Sequence, residues 1–105
     1  MSRLDAIRKI VEQKPNDAFA RYGLALELKN AGQLPEANSC FEELERRSPD
    51  YVPQYLMHGN LLAQMGLKAE AAAKLTRGIE VARLARNMHA MGEMQSALEA
   101  LDSGD

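Results

Sequence analysis

A period of 34 residues inside the chain is the feature that most constrains how it can fold. Pro15 and Pro49 are separated by this distance, and each follows a run of helical character and precedes a short polar turn. The same shift aligns further residues in the same order, in the identical pairs Leu28/Leu62, Gly32/Gly66, Glu36/Glu70 and Ala37/Ala71. A fixed internal period of about 20–50 residues is typical of structural units that stack on one another. The spacing therefore predicts a repeat architecture.

The residue types within each period indicate helices. Gly32 and Gly66 lie where a helix must stop and the backbone must turn through left-handed angles. Pro35 and Pro53 are predicted at first helical positions, where a missing N–H costs no hydrogen bond. Between these markers, apolar residues recur at helical rather than strand spacing. The predicted helices cover residues 2–13, 18–30, 35–47, 53–65, 68–86 and 88–102.

The boundary between the last two helices allows two readings. Asn87 is a candidate cap between them, but a single long bent helix fits the pattern as well. Arg83 stands where the period would place a third proline, which predicts that the fifth helix simply runs on. The closing residues 103–105 are expected to fray.

The recurring residues resemble the tetratricopeptide repeat (TPR) family. The residues that carry the resemblance are Leu24, Ala25, Leu28, Gly32, Ala37, Phe41, Leu44 and Pro49 in the first repeat, and Tyr55, Gly59, Leu62, Gly66, Ala71, Leu75 and Gly78 in the second. The resemblance implies an all-α fold, a right-handed α-solenoid of antiparallel helix pairs with about six helices. It divides a single domain, 1–105, into an N-terminal half repeat (2–15), two full repeats (18–51 and 52–85) and a capping helix (88–102).

The resemblance also implies a function in binding proteins, because TPR domains usually hold peptides in the concave face formed by the first helix of each pair. By position, this partner-binding groove consists of Phe19, Tyr22, Leu26, Lys29, Leu56, Asn60, Ala63 and Gln64. Phe19, Tyr22, Leu26 and Leu56 would form an apolar strip, and the amide of Asn60 can both donate to and accept from a peptide backbone. The alternative is that the terminal helices cover this groove and that the chain is a scaffold that self-associates as a homodimer.

Some TPR domains grip a C-terminal carboxylate with Lys, Asn and Arg side chains. Tyr22 and Leu26 stand in this sequence where the first Lys and Asn would be, and Met57 stands where a second Asn would be. The resemblance therefore favours recognition of apolar side chains.

Few residues are candidates for a catalytic or metal-binding role. His58, His89 and Cys40 lie far apart in the sequence and show no ligand spacing, so we interpret them as packing or surface residues and expect no enzyme, metal or cofactor. Met88, Met91 and Met94 recur every third residue, which suits either a capping helix or an adaptable partner-binding surface.

The distribution of charge indicates which classes of partner to expect. The net charge is −2, with an excess of three positive charges over residues 67–86 and four acidic residues without Lys or Arg over residues 87–105. We interpret these as a solvated basic face and an acidic end, and expect neither nucleic acid nor membrane as a partner. Cys40 is the only cysteine, so no internal disulfide can form, and a cytoplasmic location is expected.

Overall fold

The structure is a computed structural model that describes residues 2–103. These residues form two units with three helices each, and no strand occurs among them. Unit 1, residues 2–51, contains α1 (Arg3–Gln13), α2 (Ala18–Asn30) and α3 (Leu34–Arg47). Unit 2, residues 52–103, contains α4 (Pro53–Gln64), α5 (Lys68–Leu84) and α6 (Met88–Ser103). The all-α prediction is confirmed, and each predicted helix is present to within two residues at either end.

Side-chain caps determine where the first two helices begin. The Ser2 hydroxyl accepts a hydrogen bond from the Asp5 amide at 3.1 Å, and the Asp5 carboxylate accepts one from the Ser2 amide at 3.4 Å. This reciprocal pair satisfies amides that have no partner inside the helix, so Ser2 precedes α1 rather than belonging to it. Asp17 caps α2 in the same way, with its carboxylate 3.1 Å from the Ala20 amide.

The two glycine turns have the predicted backbone geometry. Gly32 and Gly66 both have φ of +79°, in the left-handed region that other residues rarely adopt. The amide that follows each glycine donates to a carbonyl of the preceding helix, at 2.9 Å in both turns. Pro53 is the first residue of α4, as predicted, but α3 begins one residue before Pro35, which is therefore the second. The first helical turn tolerates proline at either place.

The core of unit 1 lies mainly between α2 and α3. It is made of side chains at most 8% exposed from three helices: Val11 of α1, Leu24, Ala25 and Leu28 of α2, and Ala37, Phe41 and Leu44 of α3. Ion pairs join α1 to the other two helices, Arg3 to Glu27 at 3.1 Å and Arg8 to Glu36 at 2.6 Å. Ala25 and Ala37 are fully buried, as expected where small side chains let two helices approach closely.

The core of unit 2 joins all three of its helices. Tyr55 of α4, Leu75 and Ala82 of α5 and Met94 of α6 form one buried cluster. Gly59 lies against Leu75, because a Cβ atom at that position would lie 2.7 Å from the leucine Cγ. The absent side chain of Gly59 therefore makes room for Leu75 between α4 and α5.

The structure decides between the two readings for the end of the chain. The fifth helix, predicted to residue 86, ends at Leu84, and Arg86 has φ of +59°, which breaks the helical path. The Asn87 side-chain oxygen then accepts from the Ala90 amide at 3.0 Å and caps α6, so the single bent helix is wrong. At 17 residues, α5 is three longer than α3, consistent with the prediction that it runs on past Arg83. The prediction that residues 103–105 fray is wrong for Ser103, which is the last residue of α6 and whose hydroxyl donates to the Glu99 carbonyl at 3.2 Å; Gly104 and Asp105 lie outside the described residues.

Candidate partner-binding faces

The α2 face contains the four residues of the predicted groove that belong to unit 1. Phe19, Tyr22, Leu26 and Lys29 follow one another at three- or four-residue intervals, so their side chains share one side of the helix. Phe19 is 74% exposed, the highest value among the exposed large apolar side chains, and the other three are half-buried. An aromatic ring left in water lacks the packing that normally stabilises it, which makes this end of α2 a candidate contact for a partner.

Tyr22 has a structural role that the sequence did not reveal. Its ring packs edge-on against Phe41 of α3, with centroids 6.5 Å apart, and against Tyr51, with centroids 5.5 Å apart. Burial among these rings raises the pKa of the Tyr22 hydroxyl. Since edge-to-face contacts fix the ring, Tyr22 presents a rigid aromatic side on α2 rather than a free side chain.

The turn between α1 and α2 is held beside this face by two arginines. Arg21 donates to the Pro15 carbonyl at 2.9 Å, and Arg47 of α3 donates to the same carbonyl at 3.3 Å and to the Asn16 side chain at 3.1 Å. The Arg21 guanidinium therefore ties the turn that leads into Phe19 to the first turn of α2.

The α4 face contains the other four groove residues, all within unit 2. Leu56, Asn60, Ala63 and Gln64 recur at helical intervals on one side of α4. Asn60 and Gln64 are exposed, but Leu56 is only partly exposed and packs against the core cluster of unit 2. The surface available on α4 is therefore more polar than the predicted apolar strip, with two amides that can both donate and accept.

Cys40, His58 and His89, the residues considered for catalysis or metal binding, lie in three different environments. Burial raises the pKa of the Cys40 thiol to about 11, and its sulfur lies 3.5 Å from the Arg21 carbonyl oxygen. His58 is 2% exposed on α4, and His89 is exposed on α6, 3.4 Å from Glu93. Within residues 2–103, no three His, Cys, Asp or Glu side chains are grouped so as to hold a metal ion.

The methionine stripe of α6 packs mainly inward. Met94 is 1% exposed, and Met91, Leu98 and Leu101 pack against the cluster around it. Met88 differs, because it is 60% exposed at the first position of the helix. Helix α6 thus covers the core of unit 2, which supports the capping interpretation for all but its first residue.

One exposed surface lies within residues 67–86, the segment that the charge pattern predicted to be a solvated basic face. Leu84, the last residue of α5, is 70% exposed and lines an open depression together with Ala73, Thr76, Arg77, Glu80 and Val81. The signals for it were the local excess of positive charge and the extra length of α5. Among the described helices, none is long and apolar enough to cross a bilayer.

Several proteins of known structure are similar to this chain in fold. A tetratricopeptide repeat domain protein from Salinibacter ruber, solved by NMR, is 33% identical and superposes with a TM-score of 0.83 over 88% of this chain and 93% of its own. The TPR2B domain of yeast Sti1 in complex with pHsp70 is 17% identical, with a TM-score of 0.90 over 97% of this chain and 82% of its own. PcrH in complex with the chaperone binding region of PopD is 13% identical, with a TM-score of 0.87 over 95% and 76%.

Searches with protein-family models and against curated sequences return no match. Assignment to a family rests on the Salinibacter protein, because its sequence identity with this chain extends over most of both chains. The glycine turns, the buried alanines at the helix crossings and the antiparallel helix pairs agree with it. The chain belongs to the tetratricopeptide repeat family.

Proposed function

We propose that this chain is a protein-interaction module that binds a peptide or protein segment through the first helix of each pair. The α2 face, with Phe19, Tyr22, Leu26 and Lys29, supplies apolar contacts. The α4 face, with Leu56, Asn60, Ala63 and Gln64, supplies amides for a peptide backbone. The observation that carries the proposal is the 74% exposure of Phe19 at the start of α2.

A partner that binds the α2 face would gain free energy by covering the Phe19 ring. Covering the Phe19 ring, which is 74% exposed, removes apolar area from water and contributes a free energy of roughly 25 cal/mol per Å². Tyr22, one helical turn away, is already fixed by Phe41 and Tyr51, so a partner would lose little entropy in ordering it. A free ring beside a fixed ring suits recognition of an apolar side chain.

Two similar structures support binding of protein segments by this fold. PcrH is described with the chaperone binding region of PopD, and the Sti1 domain with pHsp70. Both are below 20% identity, so they support the class of ligand and not its identity. By position, Tyr22, Leu26 and Met57 replace the polar residues of a carboxylate clamp, and we therefore propose an internal segment with apolar side chains as the ligand.

Affinity capture from a lysate of the native cell tests the proposal. Phe19→Ser is the informative variant because the ring is exposed and its loss leaves the core intact. Ile10→Ser, on α1 and 45% exposed, is the matched control for loss of an exposed apolar side chain. We expect Phe19→Ser to lose partners that Ile10→Ser retains, and identical capture by wild type and Phe19→Ser would refute the α2 face.

Self-association through the same face makes a different prediction. A homodimer would scatter light as twice the monomer mass at high micromolar concentration and would return to monomer in Phe19→Ser. A monomer at that concentration, combined with capture that depends on Phe19, would leave the proposal of a separate partner standing and remove the homodimer.

A further inference from the structure

Lys29 is the charged residue of the α2 face. Helix α2 contains two other charged side chains, and both are engaged. Arg21 donates to the Pro15 carbonyl at 2.9 Å, and Glu27 pairs with Arg3 of α1 at 3.1 Å. The Lys29 ammonium, by contrast, makes no hydrogen bond or ion pair with any described part of the chain. The α2 face therefore presents one positive charge that no carboxylate of the described helices compensates.

The surroundings of Lys29 on α2 are apolar. It follows Leu26 by three residues and Tyr22 by seven, so its side chain lies on the same side of the helix. It is half-buried, whereas Lys9 and Lys14 of the same unit are exposed. A lysine in this setting lays its methylene stem along apolar surface and keeps its ammonium at the edge. Because it lies in the last turn of α2, the negative end of the helix dipole stabilises the charge in the free chain.

A partner that covers the α2 face changes the surroundings of this charge. An entirely apolar segment lying over Phe19 and Leu26 would also remove water from Lys29. Burial of an ammonium without an opposite charge is strongly unfavourable. A carboxylate at the same place would instead form a charge-assisted hydrogen bond with the ammonium. The unpaired charge therefore discriminates between segments that cover Phe19 equally well.

We propose that Lys29 selects the ligand of the α2 face, a segment whose apolar side chain covers Phe19 and whose Asp or Glu side chain pairs with the Lys29 ammonium. This inference rests on the proposed function, because it assigns a specificity-determining residue to the same face. Phe19 and Lys29 are ten residues apart in α2, about 15 Å along the helix axis. An extended segment covers this distance in about four or five residues, which sets the separation of its apolar and acidic residues.

Two other occupants fit the α2 face less well. A second copy of the chain would bring another ammonium and no carboxylate, since Lys29 is the only charged residue of that face. A C-terminal carboxylate would find a single flexible cation, because the neighbouring Tyr22 and Leu26 carry neither an amide nor a guanidinium. One point charge suits a single acidic side chain within a longer segment.

Selection from a random peptide library tests the inference on the intact chain. The probe is a library of segments of about twelve residues, long enough to span the face when extended. The segments are joined to the display protein at their C-termini, so every carboxylate in them belongs to a side chain. Enrichment is compared for wild type, Lys29→Met and Lys9→Met, the last being the same change at an exposed lysine of α1. Circular dichroism verifies that the variants remain folded.

Wild type and Lys9→Met should enrich segments in which an Asp or Glu lies about four or five residues from an apolar residue. Lys29→Met should enrich the same apolar residues without the acid. For the segment that binds best, replacing the acid by its amide should weaken binding to wild type about tenfold and change binding to Lys29→Met less than about twofold. The amide segment should bind Lys29→Met more tightly than wild type, because no unpaired charge is then buried.

Contrary results separate this inference from the proposed function. Segments that are lost in Phe19→Ser but show no excess of acid would overturn the role of Lys29 and leave the proposed function intact. Acidic segments that Lys29→Met retains would overturn it as well, because their carboxylate would pair elsewhere. If no enriched segment is lost in Phe19→Ser, both proposals fall. Enrichment only from a second library with free C-termini would replace the acidic side chain by a terminal carboxylate and overturn the inference.

Discussion

Replacing Gly78 by alanine probes the closest packing in unit 2. A Cβ atom at this position of α5 would overlap the Cβ of Tyr55 on α4 and the Sδ of Met94 on α6. The methionine is flexible and can move aside, but the Tyr55 Cβ is attached directly to the backbone, so α4 and α5 would have to separate. Overpacking of this kind costs about 1–3 kcal/mol.

The helix itself partly offsets this cost. Alanine is favoured over glycine within a helix by about 0.5–1 kcal/mol. Because the Tyr55 Cβ cannot move without its backbone, the upper part of the overpacking range, about 2–3 kcal/mol, applies, and the expected net loss in the free energy of unfolding is about 1–2.5 kcal/mol. For a chain of this size, that corresponds to a fall in Tm of roughly 5–15 °C.

Gly92→Ala is the matched control, because Gly92 lies in α6 of the same unit and a Cβ there would meet nothing within 4 Å. It makes the same chemical change without overlap, so it should raise Tm by about 2–4 °C. Thermal melts followed by circular dichroism at the helix band compare the two variants. A Gly78→Ala protein that melts at or above wild type, or a Gly92→Ala protein destabilised equally, would refute the packing argument.

Two further predictions concern ionisation. Burial raises the pKa of Cys40 to about 11, so a thiol reagent near pH 8 should react about a hundredfold more slowly with the folded chain than with the urea-unfolded chain; rates within tenfold would contradict the burial. Arg46 and Arg47 hold the pKa of Glu43 at about 2. A carboxyl whose pKa is lower in the folded than in the unfolded chain stabilises the fold above the unfolded pKa of about 4.5, and this contribution is lost as the pH falls toward 2. Glu43→Gln should therefore lower Tm near neutral pH and have a diminishing effect below about pH 4.5. A Tm difference that does not depend on pH would contradict this prediction.

Much of the fold was predictable because its signals are local. A glycine that must adopt positive φ, a proline in a first turn and a period of apolar residues each act within a few residues of the chain. Gly32 and Gly66 therefore marked both turns correctly, and the span 18–30 matches α2. The end of α5 was predicted two residues late because Arg86, rather than a glycine, makes the turn.

The candidate faces were predictable only in part. Helical spacing was sufficient to place Phe19, Tyr22, Leu26 and Lys29 on one side of α2. It could not indicate that Tyr22 packs between two rings or that Leu56 belongs to a core, because both depend on residues from other helices. The charge pattern predicted a solvated face over residues 67–86 but could not indicate that Leu84 is 70% exposed on it, because exposure depends on which helices pack against α5.

The sequence by itself determined the helical repeat, its 34-residue period and its glycine turns, because these follow from backbone preferences and side-chain periodicity. Tertiary structure decided which apolar side chains are buried and which remain in water. Gly78 shows the difference most clearly. In the sequence it is a weak helix former within a predicted helix, but in the structure it is the point where α4, α5 and α6 come together. Burial is a property of the assembled helices, since it depends on atoms contributed by segments that are distant in the chain.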